Sequence, residues 1–342
     1  MKALKSVVKG AWYCARLAAG YIVYLFRRET PEYGYYAMVG LFCMTRGRSN
    51  DLMSRLIGLV KRPYQFQHPV GVLGNMTSPA ARTRIVDTLR RDGYVTFPGV
   101  LPPEVCDRLL AYSLRQPSRM RVMDNKRTVV DHRVVYDRAA PAAVRYDFGM
   151  GDLLANPDVQ QLLADQSLIS VAQDYLGARP TFDVLAMWWH TAFSDTPDSE
   201  AAQYFHFDMD RPKWVKCFIY LTDVTEASGP HVFVAGSHRT GGIPRAFLDR
   251  GYARLMDDEV KAEFGAERIV EFAAPRGTII LEDTRGLHKG AHVRSGDRLM
   301  LQIQFSNSLF GCKYPKAQFN GELVSSLREA VSRYPKLYSG FC

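Results

Sequence analysis

The chemistry of this chain turns on a pair of residues two positions apart. His206 and Asp208 stand in Tyr204-Phe205-His206-Phe207-Asp208, just ahead of a segment with strand character. Extended backbone alternates its side chains, so residues 206 and 208 point to one face. With one further histidine, that imidazole and carboxylate make a facial triad. Such a triad suits a non-haem iron(II), because it leaves metal positions open for a bidentate co-substrate and for dioxygen. A His-x-Asp pattern arises readily by chance among eight histidines, so the pair gains meaning only from the residues downstream of it. His288 and His292 share strand parity and compete for the third place. His231 and His238 read as hydrogen-bonded loop histidines, and His190, in Trp188-Trp189-His190, has a place in a pocket lining. Asp210 repeats the parity of the pair one pleat further on and suits a salt bridge with Arg211 or Lys213, or a substrate contact, better than ligation.

The downstream order narrows the choice. Gly229-Pro230-His231 precedes a short strand that ends in Gly236-Ser237-His238-Arg239. Asp283-Thr284-Arg285-Gly286-Leu287-His288-Lys289-Gly290 follows the last glycine-marked turn, and Arg298 opens the final long strand. Together with Gly93-Tyr94-Val95-Thr96-Phe97-Pro98-Gly99-Val100-Leu101 upstream, this order resembles the phytanoyl-CoA dioxygenase family of iron(II)- and 2-oxoglutarate-dependent oxygenases, from about Ile85 to about Leu309.

The resemblance implies an α+β chain with a double-stranded β-helix (jelly-roll, cupin-like) core flanked by helices. It implies iron held by His206, Asp208 and His288, with Arg298 clamping the distal carboxylate of 2-oxoglutarate and O2 as the second co-substrate. The spacing to Arg298 favours His288 over His292. A planar guanidinium that stays charged is physically suited to a bidentate carboxylate. The reaction implied is hydroxylation of a small-molecule or lipid-like substrate, since related halogenases replace the carboxylate of the pair with a small residue. Lys216, Phe218 and Tyr220 share one face of the strand after the pair. The rings of Phe218 and Tyr220, with Trp188, are candidates to wall the co-substrate cavity, although core packing explains Phe218 and Tyr220 equally well.

The elements that position these residues can be read from periodicity. Ile85, Val86 and Leu89 recur at helical spacing, and residues 93–101 read as a strand and turn. Pro102 and Pro103 open a helix with an apolar stripe of Val105, Leu109, Leu110 and Leu114, and Glu104 in its first turn suits the helix dipole. Residues 152–176 give further helices. Beyond Gly177 the texture turns to strands over 181–189, 214–221, 232–235, 269–272, 278–281 and 299–305, separated by Gly, Pro, Ser and Asp clusters. Many short strands after a helical half point to a closed or double-sheet β architecture.

The 342 residues carry a formal charge of +9, and the excess is local: residues 1–62 hold eleven basic residues against three acidic. The expected division is a basic, aromatic-rich helical extension over 1–75 and a dioxygenase domain over 76–342. Trp12, Tyr13, Tyr21, Tyr24, Tyr33, Tyr35 and Tyr36 lie among the lysines and arginines, in what read as short helices. That mixture suits either a peripheral contact with an anionic membrane or a helical cover on the catalytic domain. The apolar run 17–26 is about half of what a spanning helix needs, and Arg27-Arg28 is no cleavage site. Six cysteines without paired spacing suit reduced thiols. The resulting expectation is a cytoplasmic enzyme, peripheral on the inner membrane face if the extension binds lipid, with no nucleic-acid partner. The alternative is a decayed oxygenase fold acting as a membrane-surface binding protein.

Overall fold

The structure, a computed structural model, describes residues 2–124, 127–129, 132–199, 201–251 and 253–341. Three helices come first: α1 (Lys2–Arg27), α2 (Glu32–Thr45) and α3 (Arg48–Val60). A small hairpin of β1 (Val70–Gly71) and β2 (Gly74–Asn75) leads to α4 (Pro79–Asp92), β3 (Tyr94–Phe97) and α5 (Pro103–Ser113). Then come β4 (Ser118–Asp124), β5 (Arg127–Val129), β6 (Arg133–Val134), β7 (Arg145–Asp147), α6 (Met150–Leu154), α7 (Pro157–Leu163) and α8 (Gln166–Leu176). The strand-rich half runs β8 (Thr181–Thr191), β9 (Trp214–Tyr220), β10 (His231–Val234), α9 (Arg245–Leu248), α10 (Asp257–Phe264), β11 (Ile269–Glu271), β12 (Ile279–Glu282), β13 (His288–Gly290) and β14 (Asp297–Ser306), before α11 (Ser325–Arg333).

Local chemistry sets the helix ends. α4 starts at a proline, whose missing amide costs nothing in the first turn. It stops at Gly93, whose left-handed φ of 92° lets its amide donate back to Leu89 O. The Asp165 carboxylate caps α8 by accepting from Leu168 N at 2.9 Å.

Apart from the β1–β2 hairpin, the described strands form two antiparallel sheets. The larger has the order β3-β12-β9-β14-β8-β7-β4-β5, with β6 also paired to β4, and the smaller is β11-β10-β13. Strand alternation gives the large sheet two apolar faces. Val215, Cys217 and Ile219 of β9, with Leu299, Leu301 and Ile303 of β14, join the core packed under α4, α5, α7 and α8. Phe218 and Tyr220, Trp188 of β8, Ile280 of β12 and Met300 of β14 face the other way and meet Phe233 of β10. The site lies on this second face, between the sheets.

The first sixty residues lie on this core. Phe42 of α2 joins Phe207, Met209, Val232 and Val234 behind the small sheet, its ring 6.0 Å from that of Phe207. Burying such a side chain is worth about 1.5–3 kcal/mol. The expectation of short helices fails for α1, which runs 26 residues without a break. Lys9 and Arg16 do not interrupt it, because Lys9 lies over the Tyr13 ring and the Arg16 guanidinium stacks 4.3 Å from Trp12. Among the described residues no helix is long and apolar enough to cross a membrane. Cys14, Cys43, Cys106, Cys217 and Cys312 are unpaired, and Cys342 lies outside the described residues.

Candidate metal centre

His206 and His288 are brought together by backbone pairing. His206 N donates to His288 O at 3.0 Å, and His288 N donates to His206 O at 2.9 Å, so His206, eight residues ahead of β9, adds an isolated bridge to the small sheet beside β13. The two rings stand 4.3 Å apart between centroids. Two residues on, Asp208 N donates to Thr284 O at 2.8 Å, which turns the carboxylate inward. One ligand atom from each of His206, Asp208 and His288 lies within 4.8 Å of the others, and all three residues are buried. The Asp208 carboxylate is 3.8 Å from His206 Nε2 and 3.4 Å from His288 Nε2.

The donor chemistry fits a divalent cation. His206 Nδ1 lies 2.9 Å from Tyr204 O and His288 Nδ1 lies 3.0 Å from Gly286 O. Each Nδ1–H donates to a carbonyl, which leaves the Nε2 lone pairs facing Asp208. Burial, then His288, hold His206 well below its ordinary pKa and keep it neutral. Burial alone would lower His288, but Asp208 outweighs it and raises the ring. The same carboxylate that favours positive charge at His288 would favour a cation held among the three.

Lys216 of β9 completes the surroundings of Asp208. Its Nζ is 2.6 Å from Asp208 Oδ2 and 3.4 Å from Asp210 Oδ2. Burial alone would raise the Asp208 carboxyl, yet Lys216 and then His288 hold it well below the usual carboxylate range. Asp210 therefore pairs with Lys216, not with Arg211 or Lys213 as its sequence neighbours suggest. Arg211 is taken by Asp183, with Nε–Oδ2 at 2.6 Å and Nη2–Oδ1 at 2.7 Å. Lys213 instead donates to Tyr175 O at 2.7 Å.

Arg298 lies at the start of β14 and is 0% exposed. Its Nη2 donates to His190 Nδ1 at 2.7 Å and the Tyr220 hydroxyl lies beside the guanidinium, while Nε and Nη1 make no hydrogen bond of ordinary geometry among the described residues. Burial holds the guanidinium down to about 10, still charged at neutral pH. A buried cation whose donors go unused is costly unless a carboxylate meets it. The space is also reserved by sequence: a Cβ on Gly290 would come within 3.0 Å of Arg298 Nη2. Trp188, Phe218 and Tyr220 pack on the same inner face.

The remaining histidines separate cleanly. His292 is partly exposed and outside the ligand cluster. His238 sits against Arg90 O at 3.2 Å. His231 is not a loop residue: it opens β10, buried, with Nε2 2.9 Å from Glu282 Oε2 and its ring 5.7 Å from that of His288. Burial pushes Glu282 up to about 8. Sequence reasoning missed Glu282 and the role of Lys216. Strand parity was the available signal, since Glu282 shares a face with Ile280 as Lys216 does with Phe218.

The sequence profile described as phytanoyl-CoA dioxygenase (PhyH) matches residues 89–300, a span that includes His206, Asp208, His288 and Arg298. The chain belongs to the phytanoyl-CoA dioxygenase family. A curated relative is the ectoine dioxygenase of Bordetella parapertussis. It is 24% identical over 226 residues, which cover 59% of this chain and 68% of the relative. Among solved structures, the non-heme alpha-ketoglutarate-dependent epimerase SnoN from nogalamycin biosynthesis aligns at a TM-score of 0.48 and 20% identity, covering 67% of this chain and 84% of that one. EctD from S. alaskensis with bound Fe aligns at 0.46 and 18% identity, covering 75% and 86%. The three N-terminal helices precede the segment matched by the phytanoyl-CoA dioxygenase profile.

Proposed function

We propose that this phytanoyl-CoA dioxygenase family member is a hydroxylase built on a double-stranded β-helix, with His206, Asp208 and His288 as its iron ligands and Arg298 as the anchor for the far carboxylate of 2-oxoglutarate. The observation that carries the reading is the pairing of two features on one inner face: three convergent, buried ligand atoms and a buried guanidinium with two unused donors. Bound iron would supply the activation of O2 coupled to oxidative decarboxylation of 2-oxoglutarate. The chain's own residues supply orientation and charge. Tyr204 O and Gly286 O fix the two imidazoles with Nε2 toward the centre, and Lys216 keeps Asp208 anionic. Complete burial gives Arg298 a dry surrounding in which a charge-assisted pair gains strength, and Trp188, Phe218 and Tyr220 supply apolar surface on the same inner face.

A carboxylate at position 208 supports hydroxylation, because it fills the metal position that a halide would need. The ectoine dioxygenase relative supports a small-molecule substrate. The complete donor set also argues for an active enzyme over a decayed fold kept for membrane binding. The test is succinate formation by the purified full chain in air, with iron(II) and 2-oxoglutarate supplied together and singly. Succinate only when both are present supports the reading, and none under any combination, with iron bound, rejects it.

A further inference from the structure

Helix α3 is amphipathic in the wrong sense for a surface helix. Its inner side is largely polar: Asn50 and Ser54 are buried, Asn50 Nδ2 donates to Pro212 O at 3.4 Å, and Ser54 Oγ accepts from Asn307 Nδ2 at 2.8 Å. Ile57 and the partly buried Met53, which packs against the Tyr24, Met38 and Phe310 cluster, are the apolar residues on that side. Asp51 adds an ion pair to Arg285 at 2.9 Å, and Lys61, just past the helix, donates to Asn307 O at 2.9 Å. The outer side is apolar. Leu52, Leu56, Leu59 and Val60 follow the i, i+4, i+7, i+8 spacing of one helical stripe and are 59%, 56%, 75% and 83% exposed. Among the described residues, eleven of the fifteen exposed large hydrophobic side chains fall within the first sixty positions, so the unpartnered apolar surface is concentrated here.

The same helix forms one wall of a cavity of about 670 Å³ that lies away from the candidate iron ligands. Its cations are Arg48, Arg55, Arg90, Lys213, Arg239 and Arg285. The one carboxylate in the lining, Asp51, is already engaged by Arg285 and by the Thr240 hydroxyl. Arg48, Arg55, Lys213 and Arg239 have no carboxylate partner among the described residues. Burial, then Arg285, depress Lys213 to about 8, as expected of a cation crowded by others. Leu52 belongs to both features, since it lines the cavity and begins the stripe.

An apolar stripe alone would suit any hydrophobic partner, and a cationic cavity alone would suit any soluble polyanion. Side by side on one helix they fit a surface that is apolar and anionic at once. We propose that α3 and the adjoining cavity form an interfacial site for a bilayer of anionic phospholipid. Leu52, Leu56, Leu59 and Val60 enter the acyl boundary, and Arg48, Arg55, Lys213 and Arg239 receive headgroup phosphates. The inference does not depend on the oxygenase reading, because none of these residues touches the candidate metal centre.

The test is sedimentation of the full chain with phosphatidylglycerol vesicles and with phosphatidylcholine vesicles, at low and high salt, for wild type, R48E/R55E and L56D/L59D. Far-ultraviolet circular dichroism and melting verify the fold, and R48K/R55K serves as the conservative control. Wild type and R48K/R55K are expected to bind phosphatidylglycerol and not phosphatidylcholine. Each basic residue near an anionic surface strengthens binding about fivefold, so R48E/R55E loses at least roughly 25-fold. L56D/L59D loses the part of the binding that survives high salt. Equal sedimentation of all variants would overturn the proposal. So would binding of inorganic pyrophosphate without vesicle binding, which would make the cavity a site for a soluble phosphate. Self-association abolished by L56D/L59D, again without vesicle binding, would make the stripe a contact between copies of this chain.

Discussion

Replacing Arg298 by Met separates a co-substrate anchor from a structural cation, because the two roles predict opposite effects on the free protein. The guanidinium is fully buried, spends one nitrogen on His190 at 2.7 Å, has the Tyr220 hydroxyl beside it, and leaves Nε and Nη1 without a hydrogen bond of ordinary geometry among the described residues. Removing one partner of a buried charge pair costs about 3–5 kcal/mol, so Arg298→Met should weaken 2-oxoglutarate binding by roughly two to three and a half orders of magnitude. The free protein loses an uncompensated buried charge, offset in part by about 1–3 kcal/mol for the His190 nitrogen left unpaired. Its melting temperature should therefore be equal to or above that of wild type. The assays are anaerobic calorimetric titration of the iron-loaded protein with 2-oxoglutarate and a thermal melt of the metal-free, ligand-free form. A variant that binds 2-oxoglutarate within tenfold of wild type, or that melts far lower while binding normally, refutes the anchoring role.

Two further outcomes concern the residues behind the centre. Lys216→Met leaves Asp208 and Asp210 without their shared cation, so the Asp208 carboxyl should titrate higher. Iron affinity should fall about 10- to 100-fold, most steeply on the acid side, and an unchanged pH profile of iron binding would contradict this. Glu282 is raised by burial to about 8, so in the metal-free fold it binds a proton that the unfolded chain releases near the ordinary carboxylate range. Stability therefore falls as pH rises through that window, to about 8, and Glu282→Gln should gain on wild type across the same range. Urea melts of both proteins at pH 5 and pH 8 that differ by a constant amount would show that Glu282 does not titrate there.

The strands that carry the centre were legible because their alternation is strong. β8, β9, β10, β11, β12 and β14 all fall where Val, Ile, Trp and Phe repeat between glycine and proline clusters. Strands β4 to β7 were not legible, since residues 118–147 hold arginines and aspartates that leave little apolar period, and Asp147 of β7 pairs both with Arg121 across the sheet on β4 and with Arg145 of its own strand. β13 is three residues long and owes its place to pairing with β10 and with His206. Within the site, parity placed Lys216, Phe218 and Tyr220 on one face, and the motif order pointed to His288. Contacts distant in sequence could not be read, namely Glu282 on His231 and His190 on Arg298, nor could the loop geometry that gives Asp210 to Lys216 and not to its immediate neighbours. The polar inner side of α3 was hidden for the same reason, because Asn50 and Ser54 look like solvent-facing residues until Pro212 and Asn307 are brought to them.

The assignment of the three ligands is tested most directly by absorption spectroscopy of the anaerobic protein titrated with iron(II) and 2-oxoglutarate, for wild type, His288→Ala and His292→Ala. Chelation of 2-oxoglutarate to a protein-bound iron(II) produces a metal-to-ligand charge-transfer band. Wild type and His292→Ala should develop that band at one iron per chain, and His288→Ala should not. A band retained in His288→Ala and lost in His292→Ala would contradict the placement of the metal centre.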